Sequence, residues 1–404
     1  MYIPHAGILV DMANVDDIHA FQKGFAAALK RIEESEITDH NKEIIKKFIV
    51  FCTGQEISTS TCTIYLNSLH RIASKVKRNL DEMNESDYEL LLLNLKSGGN
   101  KDGYIYQYKK TIKKFFKWRF DDDVPRWVAR IQLKAIDTPV QPSDLITKDE
   151  IDKLFRACNN PREKALIALL LDSGMRIGAL GSLRIKNIEF NQYGAILFLS
   201  KTSQSNKSTM AKGIPITWST GHLNQWLALH PDKDDPEAPL WVNLKGRDRG
   251  KAMSYNTIRK ALKDVAQRSG VKKRIHPHLF RHTAITGWIL DKFTEQEVKH
   301  RAGWSKSNRR MFEVYGNFTD KEINDRIYER YGLKVDQKRH VTLDRCPRCN
   351  NVLKPSDRFC SQCSLILDHK LAGKIQNYEK QIPELIELLL KSDETRKLLE
   401  DIIK

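Results

Sequence analysis

His278, Arg281 and His282 lie in the stretch HPHLFRHTAITGWIL, where the apolar pattern of a buried helix begins. Residues three apart share one face of a helix, so His278 and Arg281 should point the same way. Arginine is a planar, permanently charged donor suited to phosphate, and imidazole transfers protons near neutral pH. The stretch therefore predicts one polar, basic face at the start of a buried helix, with His282 beside it.

Four further residues interrupt apolar runs and could take part in the same chemistry. Arg176 lies in LLLDSGMRIGALGSL, and Lys201 ends the strand-like segment AILFLSK. Trp304 lies in HRAGWSKS, and Tyr315 lies in RRMFEVYGNF. Taken singly, each has a structural explanation, because a semi-buried arginine is usually half of an ion pair and a lone tyrosine usually belongs to a core.

Together and in this order, these blocks resemble the tyrosine recombinase (phage integrase) family. The matching blocks are DSGMRIGALGSL, LSKT, HPHLFRHTAITGWIL, RAGW and FEVYGNF, which cover roughly residues 147–333. Over the helical region before them, the resemblance to a core-binding domain is only architectural. Trp304 combined with the cysteine-rich C-terminal region is similar to archaeal-type members.

The resemblance implies a DNA strand transferase that works by transesterification. Tyr315 would be the nucleophile that forms a 3′-phosphotyrosyl bond, a covalent intermediate that keeps the phosphoester energy for religation. Lys201 would be the general acid for the 5′-hydroxyl, and His278 would assist proton transfer.

The same resemblance gives the remaining residues their roles. Arg176 and Arg281 would clamp the scissile phosphate, and Trp304 would donate its indole N–H to a phosphate oxygen and pack the site. This chemistry needs no catalytic metal ion. In the family, four protomers bring two DNA sites together, and the implied partners are double-stranded DNA, further copies of the chain and accessory DNA-binding proteins.

The sequence departs from the family pattern at four places. The family often has an acid three residues after the first arginine, where this chain has Ala179, and Trp304 replaces a frequent histidine. Asn317 replaces a frequent histidine two residues after the tyrosine. The segment KTSQSNKSTMAKG is long and polar, so its other lysines compete with Lys201 for the acid role: Lys207 and Lys212.

Composition agrees with a polyanionic partner. The 404 residues contain 68 Lys and Arg against 51 Asp and Glu, which gives a net charge of +17. Such a field favours a nucleic acid, because each neutralised phosphate releases a counterion, although a ribosome-like or merely basic protein would carry a similar charge. No apolar run approaches the roughly 18 residues of a membrane span, and the N-terminus has no signal-peptide pattern. We therefore expect a cytoplasmic, nucleoid-associated protein.

Four of the seven cysteines form two C-x-x-C pairs in RCPRCNNVLKPSDRFCSQC. Two such pairs supply four thiolates to one tetrahedral ion, and a Cys₄ set leaves no open position for catalysis. The pattern resembles a zinc ribbon and predicts one structural zinc ion. Its ligands would be Cys346, Cys349, Cys360 and Cys363.

The expected fold is mainly α with a small β-sheet (α+β). Helical periodicity marks the N-terminal region, including KDGYIYQYKKTIKKFFKWRF, whose lysines we expect to face a duplex backbone. Three acids and three prolines favour a linker before the next capping box at Thr147 and Glu150. The predicted divisions are a core-binding domain at 1–120, a linker at 121–145, a catalytic domain at 146–333, a zinc ribbon at 341–367 and amphipathic helices at 368–404.

Two other functions share parts of this pattern. A catalytically silent DNA-binding protein could keep the scaffold, although it would not need the whole set of catalytic side chains. A type IB topoisomerase uses the same chemistry as a monomer without site choice, whereas a separate core-binding domain and an oligomer-like tail favour a site-specific recombinase or integrase, as found in mobile elements.

Overall fold

The computed structural model describes residues 17–134, 142–199 and 213–304. The chain divides into two compact units, residues 1–139 and 140–404. This division falls inside the predicted linker 121–145. However, Trp127, Val128 and Ile131 lie in the hydrophobic core of the first unit. The linker between the two units is therefore shorter than the predicted 121–145.

The first unit is helical in its described part. Three of its helices begin at side-chain caps, since Thr38, Ser58 and Asn84 each accept a backbone N–H from the first turn that follows. Aromatic side chains fill the core, where Phe48 packs edge-on against Phe115. The helices are α1 (Phe21–Glu33), α2 (Asp39–Gly54), α3 (Thr59–Val76), α4 (Glu85–Ser97), α5 (Asp102–Arg119) and α6 (Arg126–Ala129).

The second unit begins with the predicted capping box, in which Thr147 and Glu150 each bond the other's backbone N–H. Its core is built around α8, whose residues Ala165–Leu171 are all buried. The helices are α7 (Lys148–Arg156), α8 (Pro161–Ser173), α9 (Ile177–Gly181), α10 (Thr220–Ala228), α11 (Tyr255–Ser269), α12 (Pro277–Leu290) and α13 (Glu295–Arg301).

One antiparallel sheet of three strands, in the order β1-β2-β3, completes the described part of this unit. The strands are β1 (Ile188–Asn191), β2 (Gly194–Phe198) and β3 (Gly213–Ile216). Leu197 pairs with Ile188 on one side and with Ile214 on the other, which places alternate residues in the core. The predicted α+β class, mainly helical with a small sheet, is confirmed. Within the described ranges, no helix is long and apolar enough to cross a membrane.

Candidate active site

The turn between α8 and α9 presents the first predicted arginine. Gly174 ends α8 with φ +55°, and a Cβ atom there would lie 2.5 Å from Cη2 of Trp288. A side chain at this position would therefore be both strained and blocked. Two residues later, Arg176 is the N-cap residue of α9 and is partly buried. Close packing of this turn against α12 thus fixes the position of Arg176 at the start of α9.

Helix α12 carries the H-x-x-R motif on its first turns, as predicted. His276 is its N-cap residue, and the Nδ1 atom of His276 accepts the N–H of Leu279 at 3.2 Å. Pro277 follows at the first helical position, where its missing N–H costs no hydrogen bond. The cap orients His278 and Arg281 at the start of a helix that is otherwise buried. His276 is not among the predicted site residues, although a polar residue before a proline is a recognisable cap signal.

Arg281 is 1% exposed and is held between two backbone carbonyls. Its Nη1 donates to the oxygen of Gly174 at 2.6 Å, and its Nη2 donates to the oxygen of Ala302 at 2.8 Å. The guanidinium carbon lies 5.7 Å from the ring centroid of Trp304, a cation–π contact. The fork of Arg281 therefore joins the end of α8 to the segment after α13.

His278 keeps an exposed surface beside this buried arginine. Partial burial lowers its pKa below the usual value for histidine, and the charges of Arg281, His276 and Arg176 lower it further. Its ring packs edge-on against His282 at 4.6 Å between centroids. Burial also lowers the pKa of His282 to about 4. At neutral pH both imidazoles are therefore uncharged, and a neutral imidazole can accept a proton.

Trp304 lies 2% exposed in a cluster formed by α12 and α13. Its backbone N–H donates to the oxygen of Lys299 at 2.9 Å, and Gly303 supplies the positive φ of the turn. The predicted packing role of Trp304 fits this position. In the described part, the structure thus brings four predicted residues together: Arg176, His278, Arg281 and Trp304. Their catalytic roles stay predictions.

The structure also contains a largely buried ion pair whose two residues are not among the predicted site residues. Arg301 Nη2 lies 3.1 Å from the Asp172 carboxylate and 2.6 Å from the Asp172 backbone oxygen. The two residues are 129 positions apart, so no local pattern could reveal the contact.

The remaining predicted residues lie outside the described ranges. They are Lys201 with its competitors Lys207 and Lys212, the nucleophile Tyr315, Asn317, and the cysteines Cys346, Cys349, Cys360 and Cys363. The described strands do fix the ends of the segment that carries Lys201, since β2 ends at Phe198 and β3 begins at Gly213.

Three lysines of α5, the helix whose lysines we expect to face a duplex, also make contacts within their own unit, and the expected contact with DNA stays a prediction. Lys113 donates to the backbone oxygen of Ile131 at 2.9 Å, so it caps backbone carbonyls in its own unit. Lys117 pairs with Asp122 at 2.8 Å. The ammonium group of Lys114 lies 5.5 Å from the ring centroid of Phe51. These three lysines therefore contribute to intramolecular contacts, because the turn after α5 brings acids and carbonyls to them.

Comparison with protein families agrees with this site. Residues 144–322 match the model of the phage integrase family. The matched range contains the described site and also the positions of Lys201 and Tyr315.

Named relatives are tyrosine recombinases. The chain is 23% identical over 282 residues to a tyrosine recombinase of Thermosipho africanus, a match that spans 67% of this chain and 93% of the relative. It is 22% identical over 310 residues to tyrosine recombinase XerA of Pyrococcus horikoshii, spanning 73% of this chain and 95% of XerA.

Solved structures share the fold. A lambda integrase tetramer bound to a Holliday junction aligns with a TM-score of 0.54 at 14% identity, over 72% of this chain and 82% of that one. The Tn1549 transposon integrase in complex with circular intermediate DNA aligns with a TM-score of 0.52 at 16% identity, over 70% of this chain and 98% of that one. The fold of this chain is that of the integrases. Residues 144–322 of the chain match the phage integrase family, and the relatives named above are tyrosine recombinases.

Proposed function

We propose that this protein is a site-specific DNA recombinase or integrase that cuts and rejoins strands through a 3′-phosphotyrosyl intermediate. The observation that carries the proposal is the position of Arg281, whose fork joins the turn before Arg176 to the segment that ends in Trp304. Three separate blocks of the family motif thus meet at one guanidinium, as a preorganised phosphate site requires.

The reaction would run as an in-line exchange at phosphorus. The Tyr315 oxygen attacks, the bond from phosphorus to the 5′-oxygen breaks, and Arg176 and Arg281 balance the charge on the non-bridging oxygens. His278 takes up the tyrosine proton, since its lowered pKa keeps the imidazole in the neutral form that can accept one at neutral pH. Lys201 gives a proton to the 5′-oxygen, and religation reverses each transfer. The indole N–H of Trp304 supports one phosphate oxygen.

The proposed assembly is a tetramer on two synapsed duplex sites, assisted by accessory DNA-binding proteins. The lambda integrase that shares this fold forms a tetramer bound to a Holliday junction, which supports this assembly. A net charge of +17 supports a DNA partner. The enzyme would act on cytoplasmic, nucleoid DNA, on behalf of a mobile element or for the resolution of joined chromosomes.

Cys346, Cys349, Cys360 and Cys363 would hold one structural zinc ion. Four thiolates in two C-x-x-C pairs match the donor set and the tetrahedral preference of zinc. The ion would stabilise the fold of residues 341–367 and take no part in strand transfer. This archaeal-type ribbon could then brace the tail or contact DNA.

A recombination assay separates the proposal from its two alternatives. A binding site is first selected from a random duplex pool, and two copies are placed in direct repeat on a supercoiled plasmid. We expect deletion circles from this plasmid and no relaxation of a plasmid that lacks the site. Relaxation of both plasmids would indicate a topoisomerase. Binding without any strand cleavage would indicate a silent DNA-binding protein.

A further inference from the structure

Asp172 is a buried carboxylate at the end of α8, 2% exposed. One of its oxygens, Oδ2, accepts the backbone N–H of Thr217 at 2.7 Å and that of Ser219 at 3.1 Å, together with the Ser219 hydroxyl at 2.8 Å. Thr217 directly follows β3, the second strand of the hairpin in which Lys201 lies. The carboxylate therefore fixes the segment after the hairpin to the end of α8.

Arg301 binds the other side of the same residue. Its Nη2 donates to the Asp172 backbone oxygen at 2.6 Å and to Oδ1 at 3.1 Å. The guanidinium carbon also lies 4.3 Å from the ring centroid of Trp288 on α12. Arg301 is the last residue of α13, so this contact fixes the end of α13 to the end of α8 and to α12.

Arg301 and Arg281 connect the same two segments, the C-terminal end of α8 and the C-terminal end of α13. Arg281 donates to Gly174, two residues after Asp172, and to Ala302, the residue after Arg301. Arg301 and Arg281 therefore bridge α8 and the α13 end side by side. If the contacts of Arg301 are lost, the carbonyl oxygens of Gly174 and Ala302, which orient the Arg281 guanidinium, can move apart. Catalysis is sensitive to such shifts, because productive geometry tolerates displacements of about 0.5 Å.

The pair also provides a buried carboxylate seven residues before Ala179, a position where this chain lacks an acid. Ala179 stands where the family often has an acid, and its side chain is buried and apolar. Asp172 precedes Arg176 by four residues and acts through the backbone of the turn. A buried ion pair contributes little net stability compared with apolar packing, so an effect on geometry is the more telling contribution to measure.

We infer that Asp172 and Arg301 are positioning residues for strand cleavage: they hold the α8 end, the α13 end and the segment after the Lys201 hairpin in register, so that Arg281 is oriented for phosphate. They touch no DNA themselves. The inference rests on the proposed function.

The first test compares Arg301→Lys with Arg268→Lys. Arg268 pairs with the buried carboxylate of Glu163 at 2.7 Å in the same unit, but away from α13. Single-turnover cleavage of a nicked duplex is measured at saturating protein, together with the DNA Kd and Tm. We expect Arg301→Lys to slow cleavage about tenfold or more with little change in Kd, and Arg268→Lys to stay within about twofold of the wild type.

The second test asks whether the effect passes through Arg281. A methylphosphonate at the scissile position removes the charge that an arginine would neutralise. If Arg301 positions Arg281, most of the Arg301→Lys defect disappears on this neutral substrate. A defect of equal size on both substrates, or equal losses in the Arg301 and Arg268 variants, overturns the inference.

A second variant and the wild-type protein serve as controls for these tests. Ser219→Ala removes one hydrogen bond to Asp172 without touching the ion pair, and it is expected to show a smaller defect of the same kind if Arg301→Lys fails to fold. A normal cleavage rate in Ser219→Ala would then count against the inference. If the wild type cleaves neither substrate, the proposed function itself fails, whereas a wild type that cleaves beside unaffected variants refutes only the positioning role.

Discussion

The guanidinium of Arg281 donates to the backbone oxygen of Gly174 at 2.6 Å, two residues before Arg176. One predicted arginine is therefore anchored on the turn that presents the other. A guanidinium has five N–H donors in a planar fork, and its bonds to Gly174 and Ala302 set the plane of that fork. The charge of Arg281 is thus oriented before any substrate binds.

Replacement of Arg281 by lysine tests whether the fork matters beyond its charge. Lysine keeps the charge but cannot hold two carbonyls and a phosphate in one plane. We expect cleavage to fall by about 10²- to 10³-fold, with a much smaller loss of DNA affinity. Single-turnover cleavage and filter binding measure the two quantities.

The matched control for this prediction is Arg162→Lys, because Arg162 also donates to a backbone carbonyl, that of Val242, at 2.7 Å. Its cleavage rate should stay close to that of the wild type. Equal rate losses in the two variants would show that Arg281 has only a structural role.

Gly174→Ala should destabilise the second unit through two separate effects. The residue needs a positive φ, which costs an L-residue about 1 kcal/mol, and its Cβ would collide with Trp288. Overpacking of this kind adds about 2 kcal/mol. The free energy of unfolding in urea measures the sum. Gly246→Ala is the control, since Gly246 has φ +78° and no described atom within 4 Å of the added Cβ; a similar loss at both positions would contradict the close packing against Trp288.

Acid should weaken the second unit through His222. Burial lowers the pKa of His222 from 6.5 to about 3. Between these two pH values, His222 is therefore protonated in the unfolded chain but neutral in the folded chain. Stability is therefore complete above pH 6.5 and falls as the pH falls. Between pH 7 and pH 5 the loss from this one group is about 2 kcal/mol.

The variant His222→Gln should remove that part of the pH dependence. Urea unfolding at pH 7 and pH 5 gives the comparison, and the difference between the two free energies of unfolding is the quantity to follow. An unchanged difference in the variant would mean that His222 is protonated in the folded protein.

Metal content tests the cysteine prediction. The purified protein should carry one zinc ion per chain after dialysis against a weak chelator. Cys346→Ser and Cys363→Ser should lose most of it, because three thiolates no longer close the tetrahedral site. Cys158→Ser is the control, since burial raises the pKa of the Cys158 thiol to about 12 and keeps it protonated. Elemental analysis that finds equal zinc in all three variants, or none in the wild type, would refute the site.

Local signals made much of the fold predictable. Three features depend on residues that are close together in sequence: the capping box at Thr147 and Glu150, the helix that begins beside His278, and the alternating strands on either side of the Lys201 segment. The ordered motif blocks also indicated which side chains should converge, and the described ones do converge around Arg281.

Contacts between distant segments were not predictable. The helical pattern places the lysines of α5 in solvent. However, Lys113 donates to the backbone oxygen of Ile131, which lies in the segment after α6. Trp127 looks like part of a linker because acids and proline precede it, yet its indole packs against Phe116 at 5.0 Å between centroids. The ion pair of Asp172 and Arg301 depends on tertiary packing in the same way.

Covalent trapping shows whether Tyr315 is the nucleophile of strand cleavage. Wild-type protein is incubated with labelled duplex that carries a selected binding site and a nick beside the cleavage point, and the DNA-linked peptide is mapped after denaturation. The account predicts one adduct on the peptide that contains Tyr315, absent from Tyr315→Phe although that variant still binds the duplex. An adduct on another residue, or none from a protein that binds its site, would contradict it.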